Sequence, residues 1–480
     1  MSFVDTMTFG LGSPARTGDA ITLRVPGEGT VLAEVALAGV DDVRTAARTA
    51  REAQRGWAST PIAERAEVLA RAEALLLEHA DALQVGIAHE TGSVFGKARV
   101  EIDGSVNELR AGRALAAIPD GEVYPSPNGS LSYSRRIPVG VVGLITPWNF
   151  PVALAMRVIA PALVLGNAVV LKPDTQTPIS GGDMLASLFL KAGLPAGLLQ
   201  SVPGGPVVGE ALVSDPDVDM ISFTGSTAAG RKVGALAGSL LKRVSLELGG
   251  NNPMIVLDSV DIDSAAEAGA AGSFTHQGQI CMSTGRHIVH ESVADAYATA
   301  LASQAATLRL GATSDPATTI GPIINQAQID RVAGIVDRSV AMGATVLTGG
   351  TPQGQYYPPT VLTGVTPDMP AFSEELFGPV AVVSTFSSDA EAVTRANSGE
   401  YGLSAAVFGS DLARARRLAL QLRAGMVHIN SITITDTAVT PMSGHGSSGN
   451  GGAVGGLSNV EEYTQVRWYT EQDKPFDASF

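Results

Sequence analysis

The sequence predicts an α/β fold, built of parallel strands with helices on both faces. Three observations lead to it. From about residue 40 to residue 430, segments with apolar residues at helical spacing alternate with short apolar runs. Those runs are rich in valine, leucine and isoleucine and lack polar alternation, as strands covered on both faces do. One of them, Met220-Ile221-Ser222-Phe223, leads through a glycine-containing turn into a helical pattern, the strand-turn-helix unit of parallel sheets.

The elements follow in order. Asp41 to Gln54 and Pro61 to Leu83 carry Ala, Leu and Val at helical spacing with charges between them, and read as surface helices of a first domain. Val139 to Leu144 is a strand. Pro151 to Leu171 is the most apolar long stretch, but it contains Arg157, Pro161, Gly166 and Asn167, so it reads as a buried helix running into the strand Ala168 to Pro173. Ser180 to Ala192 follows as helix, Leu199 to Val202 and Met220 to Phe223 as strands, with a further helix opening at Arg231. A comparable run starts near residue 250: strand Met254 to Leu257, helix Ile262 to His276, strand His287 to His290, helix Glu291 to Leu308. This marks a second α/β domain. The Gly/Ser-rich stretch Met442 to Leu457 lies between the ordered-looking Ala424 to Ile429 and an aromatic strand, Glu462 to Tyr469, and reads as a conformable loop packed near a site.

Composition narrows the function. A net charge of −15 over 480 residues argues against a nucleic-acid or anionic-membrane surface, and 45% hydrophobic residues suffice for several cores. Small-molecule partners are expected. The start Met1-Ser2-Phe3-Val4-Asp5 lacks a basic region followed by an apolar run, and a single cysteine allows no internal disulfide, so the cytoplasm is the expected compartment.

That cysteine, Cys281, lies in Gly278-Gln279-Ile280-Cys281-Met282-Ser283. It is either an inert core residue or a reactive thiol. Upstream, Glu247 stands in Leu246-Glu247-Leu248-Gly249-Gly250-Asn251, an apolar, glycine-rich setting that suits a general base with a raised pKa. Phe223-Thr224-Gly225-Ser226-Thr227-Ala228-Ala229-Gly230 is a candidate phosphate cradle at a helix N-terminus. Its Gly-four-Gly spacing matches neither the Rossmann fingerprint nor a P-loop, and a tight turn that binds nothing is an equal reading. In Thr146-Pro147-Trp148-Asn149-Phe150-Pro151, Asn149 is either a turn former or a donor to an oxyanion. Lys172 is a strand-end lysine, either solvated or ligand-facing. Glu374-Glu375-Leu376-Phe377-Gly378-Pro379 is either a charged loop or an acidic pair beside a fixed ring.

These segments in this order resemble the NAD(P)-dependent aldehyde dehydrogenase superfamily over essentially the whole chain from about residue 20. Within it, Gly278 to Ser283 and the ending Glu461-Glu462-Tyr463-Thr464-Gln465-Val466-Arg467-Trp468 look most like the benzaldehyde, vanillin and salicylaldehyde dehydrogenases. The resemblance implies a Rossmann-like NAD(P)-binding domain over residues 1–120 and 139–249, a catalytic domain over 250–455, and a small β oligomerisation arm over 121–138 and 456–480. It implies oxidation of an aldehyde to the acid, with Cys281 as nucleophile, the Asn149 amide and the Cys281 N–H as oxyanion donors, and Glu247 activating water. Lys172 is then expected on the adenine-side ribose, Gly225 and Ser226 on the pyrophosphate, Glu375 on the nicotinamide ribose, and Trp148, Thr224 and Phe377 around the ring. Relatives selective for NAD carry glutamate where Thr175 stands, so NAD is the expected cofactor with NADP also accepted. A homodimer or homotetramer is implied, and no metal. Two departures from the family pattern are Gly285-Arg286, where relatives often have glutamate, and Pro441-Met442-Ser443-Gly444, where they have Pro-Phe-Gly-Gly.

Overall fold

A computed structural model describes residues 2–126 and 129–473; Met1, residues 127 and 128, and residues 474–480, which fall within the expected cofactor domain and arm, lie outside the described residues. Two sheets organise the chain. The first has the spatial order Leu199–Ser201, Ala168–Lys172, Val141–Ile145, Met220–Thr224, Arg243–Glu247, all parallel. The chain builds outward from Val141–Ile145 to one side and then returns to build the other, so the strand order reverses between Val141–Ile145 and Met220–Thr224. Ligand crevices of open α/β sheets lie beyond the carboxyl ends of such a pair, which here are Thr146–Phe150 and Gly225–Ser226.

The second sheet has the order Thr345–Thr348, Thr360–Thr363, Val380–Phe386, Thr284–His290, Asn252–Val256, Ser404–Phe408, Met426–Ile429, with only its first pair antiparallel. Every residue of Val141–Ile145, Ala168–Lys172 and Asn252–Val256 is buried. Each aliphatic side chain so placed contributes roughly 1.5–3 kcal/mol, which is why these strands read as unbroken apolar runs. An antiparallel ribbon pairs Leu131–Pro138 with Thr464–Glu471, far apart in sequence.

Several predicted boundaries move, each for a local reason. The stretch Pro61 to Leu83 is two helices, Ile62–Glu78 and Ala80–Thr91, divided where His79 leaves helical geometry. The expected Ser180 to Ala192 helix opens as a π-turn, Ile179–Asp183, before Met184–Lys191, because the buried carboxylate of Glu90 accepts from the N–H groups of Ile179 and Ser180 at 2.9 and 2.7 Å. The helix after Phe223 starts at Thr227, not Arg231, because Ser226 caps it by accepting from the Ala229 N–H. The helix expected to reach His276 ends at Phe274, and Glu462 belongs to the short helix Ser458–Tyr463 rather than to the terminal strand. The helix expected from Glu291 begins at Ala294.

The C-terminal segment is tied into the first sheet by Asn167, which is fully buried. Its side-chain oxygen accepts from Gly140 N–H at 2.9 Å, and its amide donates to the carbonyls of Ala162 and Tyr463, both at 3.0 Å. Asn167→Ala leaves the buried Gly140 N–H without its partner and removes one of the two bonds to each carbonyl, since Ala162 keeps the Asn167 N–H and Tyr463 the Val139 N–H, and is expected to lower stability by about 2 kcal/mol. The urea midpoint measures it; a loss below about 1 kcal/mol would mean that water replaces the side chain.

Candidate active site

The first sheet hands over to the second at its edge strand. Thr224 pairs with Glu247 across the last two strands, and Gly225 N–H donates to the Glu247 carbonyl at 3.0 Å. On the outer side, Leu248 N–H donates to the Ser448 carbonyl at 2.8 Å, while Asn450 bonds the backbone of Leu246 and Val244. The glycine-rich stretch of residues 442–457 therefore extends the sheet edge beside Glu247. Both Glu247 carboxylate oxygens are buried with no hydrogen-bond partner among the described residues. Burial pushes its pKa well above the usual carboxylate range; the Arg157 charge opposes this, and Glu462 and Asp436 reinforce it. Arg157 donates to Glu108 at 2.8 Å and also to Asp436 and the Met442 sulfur, so it is a buried, multiply tied cation below the base.

Cys281 is delivered by an unusual backbone. After the helix Ile262–Phe274, His276, Gln277 and Gly278 take φ of 50, 57 and 66°. Two non-glycine residues in this region cost on the order of 1–3 kcal/mol each. The surroundings hold them there. Gln277 Nε2 donates to the Pro322 carbonyl at 2.8 Å, and Gln279 Oε1 accepts from Ile324 N–H at 3.1 Å. Past the turn, Asn252 Nδ2 donates to the carbonyls of Cys281 and Ser283 at 2.9 and 2.7 Å. Gly250 is obligatory here, since a Cβ on it would lie 2.4 Å from the Cys281 carbonyl oxygen. The Cys281 side chain packs against the apolar group Leu403, Met426, Met442 and Val454. Burial, with the charges of Glu375, Glu247 and Asp436, pushes the thiol up to about 12.

Asn149 is buried, and its Nδ2 donates to the Gln279 carbonyl at 2.8 Å, which places its amide on the segment that carries Cys281. Both residues line one cavity of about 170 Å³, together with Trp148, Thr224, Gly225, Ser226, Gly249, Glu375 and Phe377. Glu375 Oε1 accepts from Gly250 N–H at 2.9 Å, and burial raises its pKa against the pull of that bond and of Arg331. Phe377 has φ of 51° and its ring meets the Trp148 indole edge-on at 5.6 Å. The neighbouring Glu374 is on the surface, paired with Arg338.

Eight of the residues singled out from sequence thus meet in one cavity, and three do not line it. Glu247 stands behind it at the strand end. Lys172 is buried, with Nζ donating to the carbonyls of Pro173 and Gly204 at 2.9 and 2.8 Å, and burial lowers its pKa. Thr175 sits half-buried in the turn that follows; Asp174 in that turn accepts from Gln176 N–H at 2.9 Å and so is occupied locally. Two cavity residues carried no reading from sequence, Gln328 and Arg331 on the helix Gln326–Ala341. Gln328 Nε2 donates to the Phe377 carbonyl at 2.9 Å and Arg331 Nη2 to the Glu375 carbonyl at 2.7 Å, fixing the acidic turn. Their signal was a polar pair three residues apart beside the buried Ile329 and Val332. The arginine departure is structural: Arg286 is buried and donates to the carbonyls of Asn251, Arg395, Ala396 and Ser398.

Comparison with known proteins gives a consistent picture. The aldehyde dehydrogenase family model matches residues 14–469. A vanillin dehydrogenase of Amycolatopsis sp. is 47% identical over 477 residues, covering 98% of each chain. A benzaldehyde dehydrogenase [NAD(+)] of Pseudomonas putida is 43% identical over 456 residues, 95% of this chain and 94% of its own. The crystal structure of a salicylaldehyde dehydrogenase from Pseudomonas putida G7, complexed with salicylaldehyde, superposes with a TM-score of 0.94 at 34% identity, covering 98% of both chains.

The raised pKa of the half-buried Cys281 has a direct consequence. In protein free of cofactor, alkylation of Cys281 by iodoacetamide is expected to climb continuously from pH 7 to pH 10, because the thiolate fraction keeps rising below a pKa this high. A plateau near pH 8 in the modification rate would contradict it.

Proposed function

The chain belongs to the aldehyde dehydrogenase family, and from that premise we propose that it oxidises aromatic aldehydes to carboxylic acids through a thioester on Cys281. It is an NAD(P)-dependent aldehyde dehydrogenase. The observation that carries the residue assignment is the Asn149 bond to Gln279, which puts an amide donor and the thiol into one cavity. The Cys281 thiol releases its proton to solvent and the Sγ thiolate attacks the carbonyl carbon, and the developing oxyanion takes hydrogen bonds from Asn149 Nδ2 and the Cys281 N–H. Loss of hydride converts the tetrahedral adduct to the thioester. Glu247, with an unpartnered carboxylate and a raised pKa, takes a proton from the water that cleaves it, releasing the acid and the free thiol.

The residues present fit a dinucleotide. A side chain at Gly225 would lie 2.7 Å from the Phe223 ring, so the turn keeps its backbone bare, and it opens the helix Thr227–Ser239. Glu375 and Phe377 would hold the nicotinamide end, and Lys172 and Thr175 the adenine-side ribose. NAD bound there supplies the hydride acceptor. Thr175 offers no carboxylate to repel a 2′-phosphate, so NADP is also accepted in this reading.

Support for an aromatic substrate comes from the thioether-rich apolar wall behind Cys281 and from the substrates named for the relatives. The same reading assigns residues 1–120 and 139–249 to cofactor binding, 250–455 to catalysis, and 121–138 with 456–480 to oligomerisation. The ribbon strand Thr464–Glu471 leaves Val466 57% and Trp468 67% exposed, which suits a homodimer or homotetramer interface. No helix among the described residues is long and apolar enough to cross a membrane, and we place the enzyme in the cytoplasm.

A turnover panel tests the substrate. Benzaldehyde with NAD is expected to show kcat/KM about 10-fold or more above that of short aliphatic aldehydes, the size that a few apolar contacts provide. The reverse order would overturn the aromatic assignment, and absence of NADPH formation in the NADP arm would point to Asp174 in place of Thr175 as the selector.

Rapid quench with mass detection tests the residue roles. Cys281→Ala is expected to lose turnover while still binding NAD. Glu247→Gln should give a burst of NADH with acyl-enzyme accumulating on Cys281 and steady turnover about 100-fold slower or worse; equal loss of burst and steady state would move Glu247 to the first half-reaction.

A further inference from the structure

Outside the cavity lining, the helix Phe95–Ala114 points two charged side chains at the backbone around Asn149. Lys97 and Glu101 stand one helical turn apart, and their side chains are 3 and 0% exposed. Lys97 Nζ donates to Glu101 Oε2 at 2.6 Å and to the main-chain carbonyl of Asn149 at 2.5 Å. It also lies 4.2 Å from the centre of the Phe150 ring, whose edge meets His276 at 5.5 Å. Glu101 uses its other oxygen, Oε1, to accept from the N–H groups of Val152 and Ala153 at 2.7 and 3.2 Å.

These contacts separate into two jobs. The Glu101 bonds satisfy orphan donors at the start of the helix Pro151–Val164, as any capping carboxylate does. The Lys97 bond to Asn149 does not serve that helix. Asn149 precedes its N-cap residue, Phe150, and the first turn is closed by the Phe150 carbonyl, which accepts from Leu154 N–H at 3.1 Å. The Asn149 carbonyl needs no partner for the helix to form. Fixing that oxygen fixes the peptide plane between Asn149 and Phe150, and with it the direction in which the Asn149 side chain leaves the backbone. Its amide is then caught between two anchors, Lys97 behind and the Gln279 carbonyl in front. A buried ion pair is weak evidence for stability, because desolvation offsets most of the attraction; a bracket that holds a catalytic donor accounts for its position.

We infer that Lys97 is a positioning residue for the oxyanion-donating amide of Asn149, with Glu101 orienting Lys97. The inference rests on the role given to Asn149 above and goes beyond it. Lys97 touches no reacting atom; it acts through Asn149 alone.

The test is a double-mutant cycle on the rate constant of the NADH burst, with Lys97→Met introduced into the parent and into Asn149→Ala. Loss of one oxyanion donor costs about 100- to 1,000-fold. A misplaced donor should cost less, so Lys97→Met is expected to slow the burst roughly 10-fold or more in the parent and within about 2-fold in Asn149→Ala, with Lys97→Arg recovering part of the loss. A merely structural lysine would cost the same factor in both backgrounds, and that result, or an unchanged burst in the parent, would overturn the inference. NAD affinity and the urea midpoint are read on each variant, and if Lys97→Met does not fold, Lys97→Gln is carried through the same cycle with the same two outcomes. Failure of the residue assignment itself would show separately, as an unimpaired burst in Asn149→Ala.

Discussion

Everything at the site depends on how short the passage between the two sheets is. The first sheet ends at Glu247 and the second begins at Asn252. Within that span, Glu247 is the proposed base, Gly250 donates its N–H to Glu375, and Asn252 holds the carbonyls of Cys281 and Ser283. The covalent chain therefore fixes the base relative to Gly250 and Asn252, and side-chain bonds at these two residues tie on the acidic turn and the nucleophile loop. The two glycines are what make the passage possible. A Cβ on Gly249 would lie 2.4 Å from Glu375 Oε2, and one on Gly250 as close to the Cys281 carbonyl.

Burial then decides the electrostatics. Glu247, Glu375 and Cys281 are all shifted toward their neutral forms, in each case chiefly by desolvation. Charge on one of these groups also works against charge on the next, as Glu375 and Glu247 both do at the Cys281 thiol. Arg157 lies close enough to oppose the shift at Glu247 but is itself tied to Glu108 and Asp436. Among the described residues the Glu247 carboxylate has no hydrogen-bond partner, so no direct donor weakens it as a base.

Much of this was legible in the sequence, and what was missed has a common cause. Strands buried on both faces show as unbroken apolar runs, and residues that need special backbone, such as Gly225, Gly250 and the Phe377 turn, sit in dense Gly/Pro punctuation. Cys281, Asn149 and Glu375 could be found because each interrupts such a pattern. Lys97, Glu101, Gln328 and Arg331 could not. They are charged or polar residues at helical spacing, which is also what a solvated helix face looks like, and only the tertiary packing turns those faces inward. The late start given to the helix at Thr227 has a related origin: Thr227-Ala228-Ala229 has no apolar period, so the Ser226 cap was the only local mark of its beginning. Lys172 shows the converse. Its strand-end position suggested a ligand or solvent, and gave no sign of the two carbonyls, of Pro173 and Gly204, that its ammonium bonds.

The distribution of strain shows which part of the molecule bears the cost of this arrangement. Among the described residues, His276, Gln277 and Phe377 are three of the six non-glycine residues with left-handed backbone, and several of the buried polar atoms without partners belong to the same segments: Thr146 Oγ1, Asn149 Oδ1, both oxygens of Glu247, both ring nitrogens of His276, Asn251 Oδ1 and Gln277 Oε1. In isolation each would relax, since each costs on the order of 1–3 kcal/mol. They cannot, because the loops bearing them are clamped from outside by residues with no chemistry of their own. Gln279 bonds Ile324, Gln328 bonds Phe377, Arg331 bonds the Glu375 carbonyl, and Lys97 bonds the Asn149 carbonyl. The aliphatic strands and helices behind them supply the stability that the site lacks. A site of this kind is rigid because its neighbours are, and its reactive groups remain unsatisfied because the fold gives them nowhere else to turn.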